Sequence, residues 1–216
     1  MSKITEKLFE RVVEQWNESA ENAFVTGMAE GTLDPNKYSA YMLQDYYYLT
    51  DYIEILNCLY EGAEDAEIAD FLKNAAAATG VEKETVHVPN MKALGITDEE
   101  IKGGKKAPDS AEYLEYMKNI AREGTIYGIT ALLQCSWSYA YIARTVTDRY
   151  KEKLESSPYI DWFRAYTSEG YTSANARWIA ILDRAASGIS AEEEKKLCSI
   201  FEKCAHYEKR FWNMFI

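Results

Sequence analysis

The chain has 216 residues, of which 47% are hydrophobic, and carries a formal charge of -11 with a sequence pI near 4.8. That much apolar material excludes a disordered chain, and the acidic balance argues against nucleic acid or an anionic membrane as partner, since both recruit basic patches. No uncharged apolar run reaches the roughly 20 residues of a membrane span.

The length suits one domain, residues 1–216, with a sizeable core. The first residues, through Lys7, lack the apolar stretch of a secretory leader, so a cytoplasmic protein is expected. The four cysteines, Cys58, Cys135, Cys198 and Cys204, follow no metal-finger spacing and read as free thiols.

Residues 3–30 read as one helix, because Leu8, Val12, Trp16, Ala20, Ala23 and Phe24 recur at steps of three and four. A loop at 31–35 follows, with Asp34 a candidate N-cap and Pro35 the first residue of the next helix. That helix runs to about Tyr60. On it Tyr41, Asp45, Tyr48 and Tyr52 share a face, with Tyr38 one turn earlier. A helix that only packs would put Leu and Ile there, because a buried Tyr needs a partner for its hydroxyl and a buried carboxylate needs donors. Two readings stay open at this point: a face built to hold something flat and polar, or a Tyr-rich amphipathic stripe with a solvated Asp45.

An Ala-rich helix spans 65–79 and closes at Gly80, and a further helical stretch spans 81–93, ending at Gly95. Residues 95–109 hold Gly103, Gly104 and Pro108 among charges and read as an exposed connection. Residues 110–122 are helical, and Gly124 either interrupts that helix or parts it from the next. The stretch 125–150 is long and mostly apolar, with few charges before Arg144, so it is expected at the centre of the fold, buried on most sides. Ser156-Ser157-Pro158 breaks it. Shorter helices follow at 159–168 and 174–186, the second ending at Gly188. Ser190 and Glu193 make a capping-box pattern, and the last helix runs to the C-terminus with Leu197, Ile200, Phe201, Cys204, Tyr207, Phe211 and Phe215 on its apolar side. With no sustained period-two alternation and no hairpin turn, the fold class is all-α.

Candidate chemistry sits on three of these helices. Cys135 lies midway along 125–150, with Tyr139 one turn on. A thiol there either packs as a small hydrophobe or serves as a nucleophile, and the second role needs a base or a stabilised thiolate. The only histidines, His87 and His206, are not adjacent to it in sequence, so a carboxylate or tyrosine would have to manage the protons. Glu208 is a candidate, set among Tyr207, Phe211 and Trp212, where desolvation suits acid–base work; pairing with Lys209, Arg210 or solvent is the other reading. Tyr113 and Tyr166 add aromatic hydroxyls that alone read as core. Glu84 and His87 form a single ExxH, and Glu202 and His206 stand four apart; a helical di-metal site usually needs a second ExxH and two more carboxylates. His87 reads instead as satisfying a local hydrogen bond.

Four blocks then converge in order and spacing: Tyr41-Met42-Leu43-Gln44-Asp45-Tyr46-Tyr47-Tyr48-Leu49, Cys135-Ser136-Trp137-Ser138-Tyr139, Pro158-Tyr159-Ile160-Asp161-Trp162 with Tyr166, and Tyr207-Glu208-Lys209-Arg210-Phe211-Trp212. Together they resemble the TenA family of thiaminase II enzymes, in its cysteine-containing branch. The resemblance implies a heme-oxygenase-like all-α fold without heme, usually a homotetramer, and hydrolysis at the methylene carbon of a 4-amino-2-methylpyrimidine. The substrates it implies are thiamin and 4-amino-5-aminomethyl-2-methylpyrimidine, with hydroxymethylpyrimidine as product and no metal or organic cofactor. By the same resemblance Cys135 matches the nucleophile and Glu208 the acid–base carboxylate. Asp45 matches the residue that holds the pyrimidine's amino group and ring nitrogen, and Tyr48, Tyr113, Tyr139 and Tyr166 match the aromatic pocket, with Tyr116 as the alternative to Tyr113.

The chain departs from many relatives at Gln134, where they carry Pro before the Cys, and at Ser157-Pro158, where they often carry His-Pro. Two other functions stay open on the sequence: a pyrimidine-binding or regulatory protein that turns nothing over, and a di-metal oxidase on the same fold.

Overall fold

The computed structural model describes residues 3–216. Its helices are α1 (Ile4–Ala20), α2 (Ala23–Glu30), α3 (Pro35–Gly62), α4 (Ala66–Glu82), α5 (Val88–Ala93), α6 (Asp98–Gly103), α7 (Pro108–Glu123), α8 (Thr125–Arg149), α9 (Lys151–Leu154), α10 (Ile160–Thr167), α11 (Glu169–Ala185) and α12 (Ala191–Asn213), with a π-helical turn, Lys83–His87, between α4 and α5. Among the described residues there is no strand, as the absence of period-two alternation predicts. No helix among them is long and apolar enough to cross a membrane.

The chain divides into two compact units. One joins the segment ending at Leu33 to Ile129–Met214 and Ile216; the other is Asp34–Gly128 with Phe215. In the first, α1 packs against α12 and α11. Ile4, Leu8, Val12 and Trp16, four apart, bury one face of α1. The Trp16 ring lies 5.5 Å from Trp137 of α8 and 6.1 Å from Phe201 of α12. From Gly128 to Cys135 every residue of α8 is buried, and none is exposed before Arg144, so α8 is enclosed as its composition predicts.

In the second unit α3 packs against α4 and α7. Phe215, beyond the end of α12, belongs to this unit, with its ring edge-on to Tyr41 at 5.7 Å. The stretch 95–109 is mostly exposed, as expected, but holds α6 and is strapped to α3. Thr97 and Glu100 form a capping box that starts α6. The Tyr47 hydroxyl donates to the Ile101 carbonyl at 2.8 Å, Gln44 Nε2 donates to the Lys105 carbonyl at 3.0 Å, and Ala107 N–H donates to Gln44 Oε1 at 2.8 Å. Lys106 and Lys118 both pair with the buried carboxylate of Asp51.

Three boundaries differ from expectation. The helix expected over 3–30 breaks at Glu21–Asn22, because the Asn22 side chain accepts from Phe24 N–H at 2.8 Å and caps a new helix. Gly80 does not stop α4, which continues to Glu82. The helix expected at 174–186 starts earlier, at Glu169, capped by Ser168, whose Oγ accepts from Tyr171 N–H at 3.2 Å. Gly124 does part α7 from α8.

The strap leaves no room at Gly104. A Cβ there would stand 2.0 Å from the Tyr47 hydroxyl oxygen and 2.9 Å from the Glu100 carbonyl oxygen, whereas one on Gly62 would meet nothing within 4 Å. Gly104→Ala is expected to destabilise by about 1–3 kcal/mol, the usual range for overpacking, read as a lower urea midpoint, with Gly62→Ala showing no loss. Equal midpoints for Gly104→Ala and the parent would refute the close approach.

Candidate active site

Two groups of the expected residues are assembled, one in each unit. In the α3 unit Asp34 starts α3 by accepting from Asn36 N–H at 2.9 Å, with Pro35 at the first helical position. The helical period then turns Tyr41, Asp45, Tyr48 and Tyr52 to one face, and all four are buried. Asp45 is only 3% exposed. A carboxylate so enclosed needs a donor. His87, equally buried, supplies it: Nε2 lies 2.6 Å from Asp45 Oδ2.

His87 closes the π-helical turn. There Val88 N–H bonds back to the Lys83 carbonyl, five residues away rather than four, so the turn holds one residue more than an α-helical turn. Burial alone would lower the His87 pKa. The hydrogen bond and charge of Asp45, the charge of Glu82 and the Glu82 backbone carbonyl outweigh it and hold the ring's pKa above its ordinary value. Glu82, half-buried at the end of α4, has its own pKa raised by burial and by Asp45, against an opposing pull from His87.

The aromatic members of this unit surround the same face of α3. The Tyr48 ring lies 5.6 Å from Tyr113 of α7 and 5.9 Å from Tyr52, and its hydroxyl reaches the Met117 sulfur at 3.8 Å. Tyr113 is fully buried and Tyr116 half-buried.

In the α8 unit Cys135 is a buried free thiol. The helix around it is held by Ser138, whose Oγ donates to the Cys135 carbonyl at 2.9 Å, and by Ser136, whose Oγ donates to Asn175 Oδ1 of α11 at 3.1 Å. Gln134, where relatives often carry Pro, is fully buried. Tyr139, one turn on from Cys135, shares its face of α8. Its ring lies 5.0 Å from Trp212 of α12 and 4.9 Å from Tyr166 of α10, and Trp162 stands 4.7 Å from Tyr166. Glu208, one turn before Trp212 on α12, is 3% exposed. The faces of α8 and α12 that carry the thiol and the carboxylate therefore meet through Tyr139 and Trp212.

A second thiol calibrates the first. Cys204, one turn before Glu208, is fully buried, and burial first, then the charge of Glu208, push its pKa well above the ordinary thiol value. It stays a protonated packing group. Cys58 is exposed.

His87 is the site member that sequence reasoning misplaced, because its partner is not local but 42 residues away on α3. The usable signals were a buried Asp45 in need of a donor and a chain with only two histidines. Trp162 and Trp212 were visible only as letters of their blocks. The ExxH does not converge: Glu84 is exposed while His87 turns inward to Asp45. Glu202 pairs with Arg11 at 2.9 Å. Among the described residues no group of three or more His, Cys, Asp and Glu side chains is arranged to hold a metal ion.

Residues 9–216 match the TENA/THI-4/PQQC family, a span that runs through both units. An aminopyrimidine aminohydrolase from Halalkalibacterium halodurans is 32% identical, over 96% of this chain and 92% of its own. A TenA homologue from P. horikoshii OT3 superposes with a TM-score of 0.84 at 29% identity, over 99% of this chain and 98% of that one. A domain of unknown function with a heme oxygenase-like fold, from Shewanella denitrificans, superposes with a TM-score of 0.73 at 16% identity, over 98% of this chain and 91% of that one. The all-α, heme oxygenase-like fold expected from the sequence is the fold observed.

The Asp45–His87 pair links stability to pH. Because folding raises the His87 pKa above its ordinary 6.5, its contribution is fully present below that pH and is lost as pH rises through the folded value. The raised Glu82 carboxyl adds a loss of the same sign from about pH 4.5 upward. Unfolding free energies from urea titrations are expected to decline across the histidine window, and His87→Gln to flatten that part of the curve. If the parent and His87→Gln curves run parallel there, the linkage is wrong.

Proposed function

Because the chain belongs to the TENA/THI-4/PQQC family, we propose that it is an aminopyrimidine aminohydrolase, acting at the methylene carbon of a 4-amino-2-methylpyrimidine. The observation that carries this reading is the meeting of the Cys135 and Glu208 faces in the cluster of Tyr139, Tyr166 and Trp212. In 4-amino-5-aminomethyl-2-methylpyrimidine, water replaces the amine, giving hydroxymethylpyrimidine and ammonia. Thiamin, cleaved to hydroxymethylpyrimidine and thiazole, is the second substrate.

An aromatic aminopyrimidine does not expel an amine from its methylene readily. Addition of the Cys135 thiolate to the one ring carbon that bears hydrogen removes the aromaticity, while Glu208 delivers a proton to a ring nitrogen. The ring electrons then push out the amine, which departs as ammonia from its ammonium form, and the proton that water sheds on adding in its place goes to solvent. Water adds to the exocyclic carbon, the ring nitrogen returns its proton to Glu208, and the thiolate departs as aromaticity is restored. Asp45 accepts from the amino group and fixes the ring's orientation. Tyr48, Tyr113, Tyr139 and Tyr166 offer faces and edges to a flat heterocycle and exclude water. We read the protein further as a cytoplasmic homotetramer with neither nucleic-acid nor membrane partners; light scattering on the purified protein checks the assembly.

The test is a metal-free assay of hydroxymethylpyrimidine release from the aminomethyl compound and from thiamin. Cys135→Ala is expected to lower kcat about a thousandfold or more, and Glu208→Gln about a hundredfold or more, while Cys58→Ala keeps parental rates. Turnover retained in Cys135→Ala removes the thiol from the chemistry. Tight binding with no product from the parent protein would make it a pyrimidine binder.

A further inference from the structure

The proposed function asks Asp45 to hold an aminopyrimidine, and the present inference rests on that reading. Asp45 commits Oδ2 to His87 at 2.6 Å, and among the described residues it makes no other hydrogen bond. A carboxyl group turns easily about its last torsion, whose energy profile is broad and roughly two-fold. His87 removes that freedom: it is 3% exposed and set by the π-helical turn, so one carboxylate oxygen is spoken for before any ligand arrives. Oδ1 is left as an acceptor on the same face.

We propose that His87 is a positioning and specificity-determining residue: it fixes the Asp45 carboxylate through Oδ2 so that Oδ1 alone accepts from the exocyclic amino group of the substrate. The arrangement also selects the substrate class. A 4-amino group donates to Oδ1. A 4-oxo group at the same place presents an acceptor to that carboxylate oxygen, and two acceptors repel.

The groups that raise the His87 pKa lie on the elements packed on the π-helical turn. They are Asp45 of α3 and Glu82 of α4. Lys83, next to them, donates to Thr50 Oγ1 at 3.0 Å and lies over the Tyr46 ring, while Glu84 and Lys92 of α5 are exposed.

Hydroxymethylpyrimidine and its 4-oxo counterpart, titrated calorimetrically at several pH values on both sides of neutrality, test this in the parent, His87→Leu and His87→Gln. Gln keeps an N–H donor at the position of Nε2 but does not titrate. The parent is expected to favour the amino compound by about a hundredfold, consistent with a charge-assisted hydrogen bond. Its advantage shrinks at high pH, where a neutral His87 is a weaker donor and holds Oδ2 less firmly. His87→Leu should weaken the amino compound about tenfold or more and leave the oxo compound unchanged, and His87→Gln should recover most of the loss with no pH dependence across that range. A folded His87→Leu with the parental amino-to-oxo ratio overturns the inference. So does a His87→Gln that follows the parental pH profile, which decides the matter where His87→Leu fails to fold. A parent that binds neither compound and turns over neither substrate overturns the proposed function, and this inference with it.

Discussion

A negative charge shut away from water has to be answered within the protein, and α3 carries two such charges. The unanswered burial of a carboxylate costs several kcal/mol, a large share of the stability of a chain this size. Asp45 is answered by His87 and Asp51 by Lys106 and Lys118, groups that lie 42 or more residues further along the chain. Both answers pin later segments onto the same helix. The π-helical turn is held at one acid and the strap after α6 at the other, with the Gln44 and Tyr47 side chains adding hydrogen bonds to the backbone of residues 101–107. The tyrosine face of α3 is therefore framed by polar closures, and its order follows from electrostatic need as much as from apolar packing.

The α8 unit separates roles by environment. Cys204 and Cys135 are both buried thiols, yet Cys204 lies fully enclosed beside Glu208, where its thiolate is disfavoured. Cys135 sits in the most buried run of α8 but on the face that leads through Tyr139 to the aromatic cluster. Sequence position makes the two look alike. What differs is the helix face each sulfur occupies, Cys135 on that of Tyr139 and Cys204 one turn before Glu208.

Much of this was legible before the fold was known. The Asp34–Pro35 start and the buried face of α3 follow from capping chemistry and the helical period, and the enclosure of α8 from its lack of charge. The resemblance to TenA proteins rested on four separated blocks, and the family match spans them. Some signals were present and passed over: Thr97 and Glu100 spell a capping box inside a stretch taken for a loop, and Asn22 is a natural cap in the middle of an expected helix. Gly80 shows the opposite error, a glycine read as a stop in a helix that tolerates it. His87 was not legible in this way. Its partner is set by tertiary packing, and the π-helical winding at Lys83–His87 that presents it has no local signal in residues 81–93.

That irregular winding has a consequence for how this part of the chain can change. Each residue of an α-helix advances about 100° around the axis, so the surplus residue in Lys83–His87 works as a fixed phase offset for everything after it. Substitutions there can come and go while the offset survives. Deletion of a single residue between α4 and α5 would reset the phase, swing the imidazole about a quarter of a circle off its carboxylate, and strand an acid that no amount of side-chain adjustment nearby could reach. Length, together with the histidine that closes it, is what this short segment has to conserve.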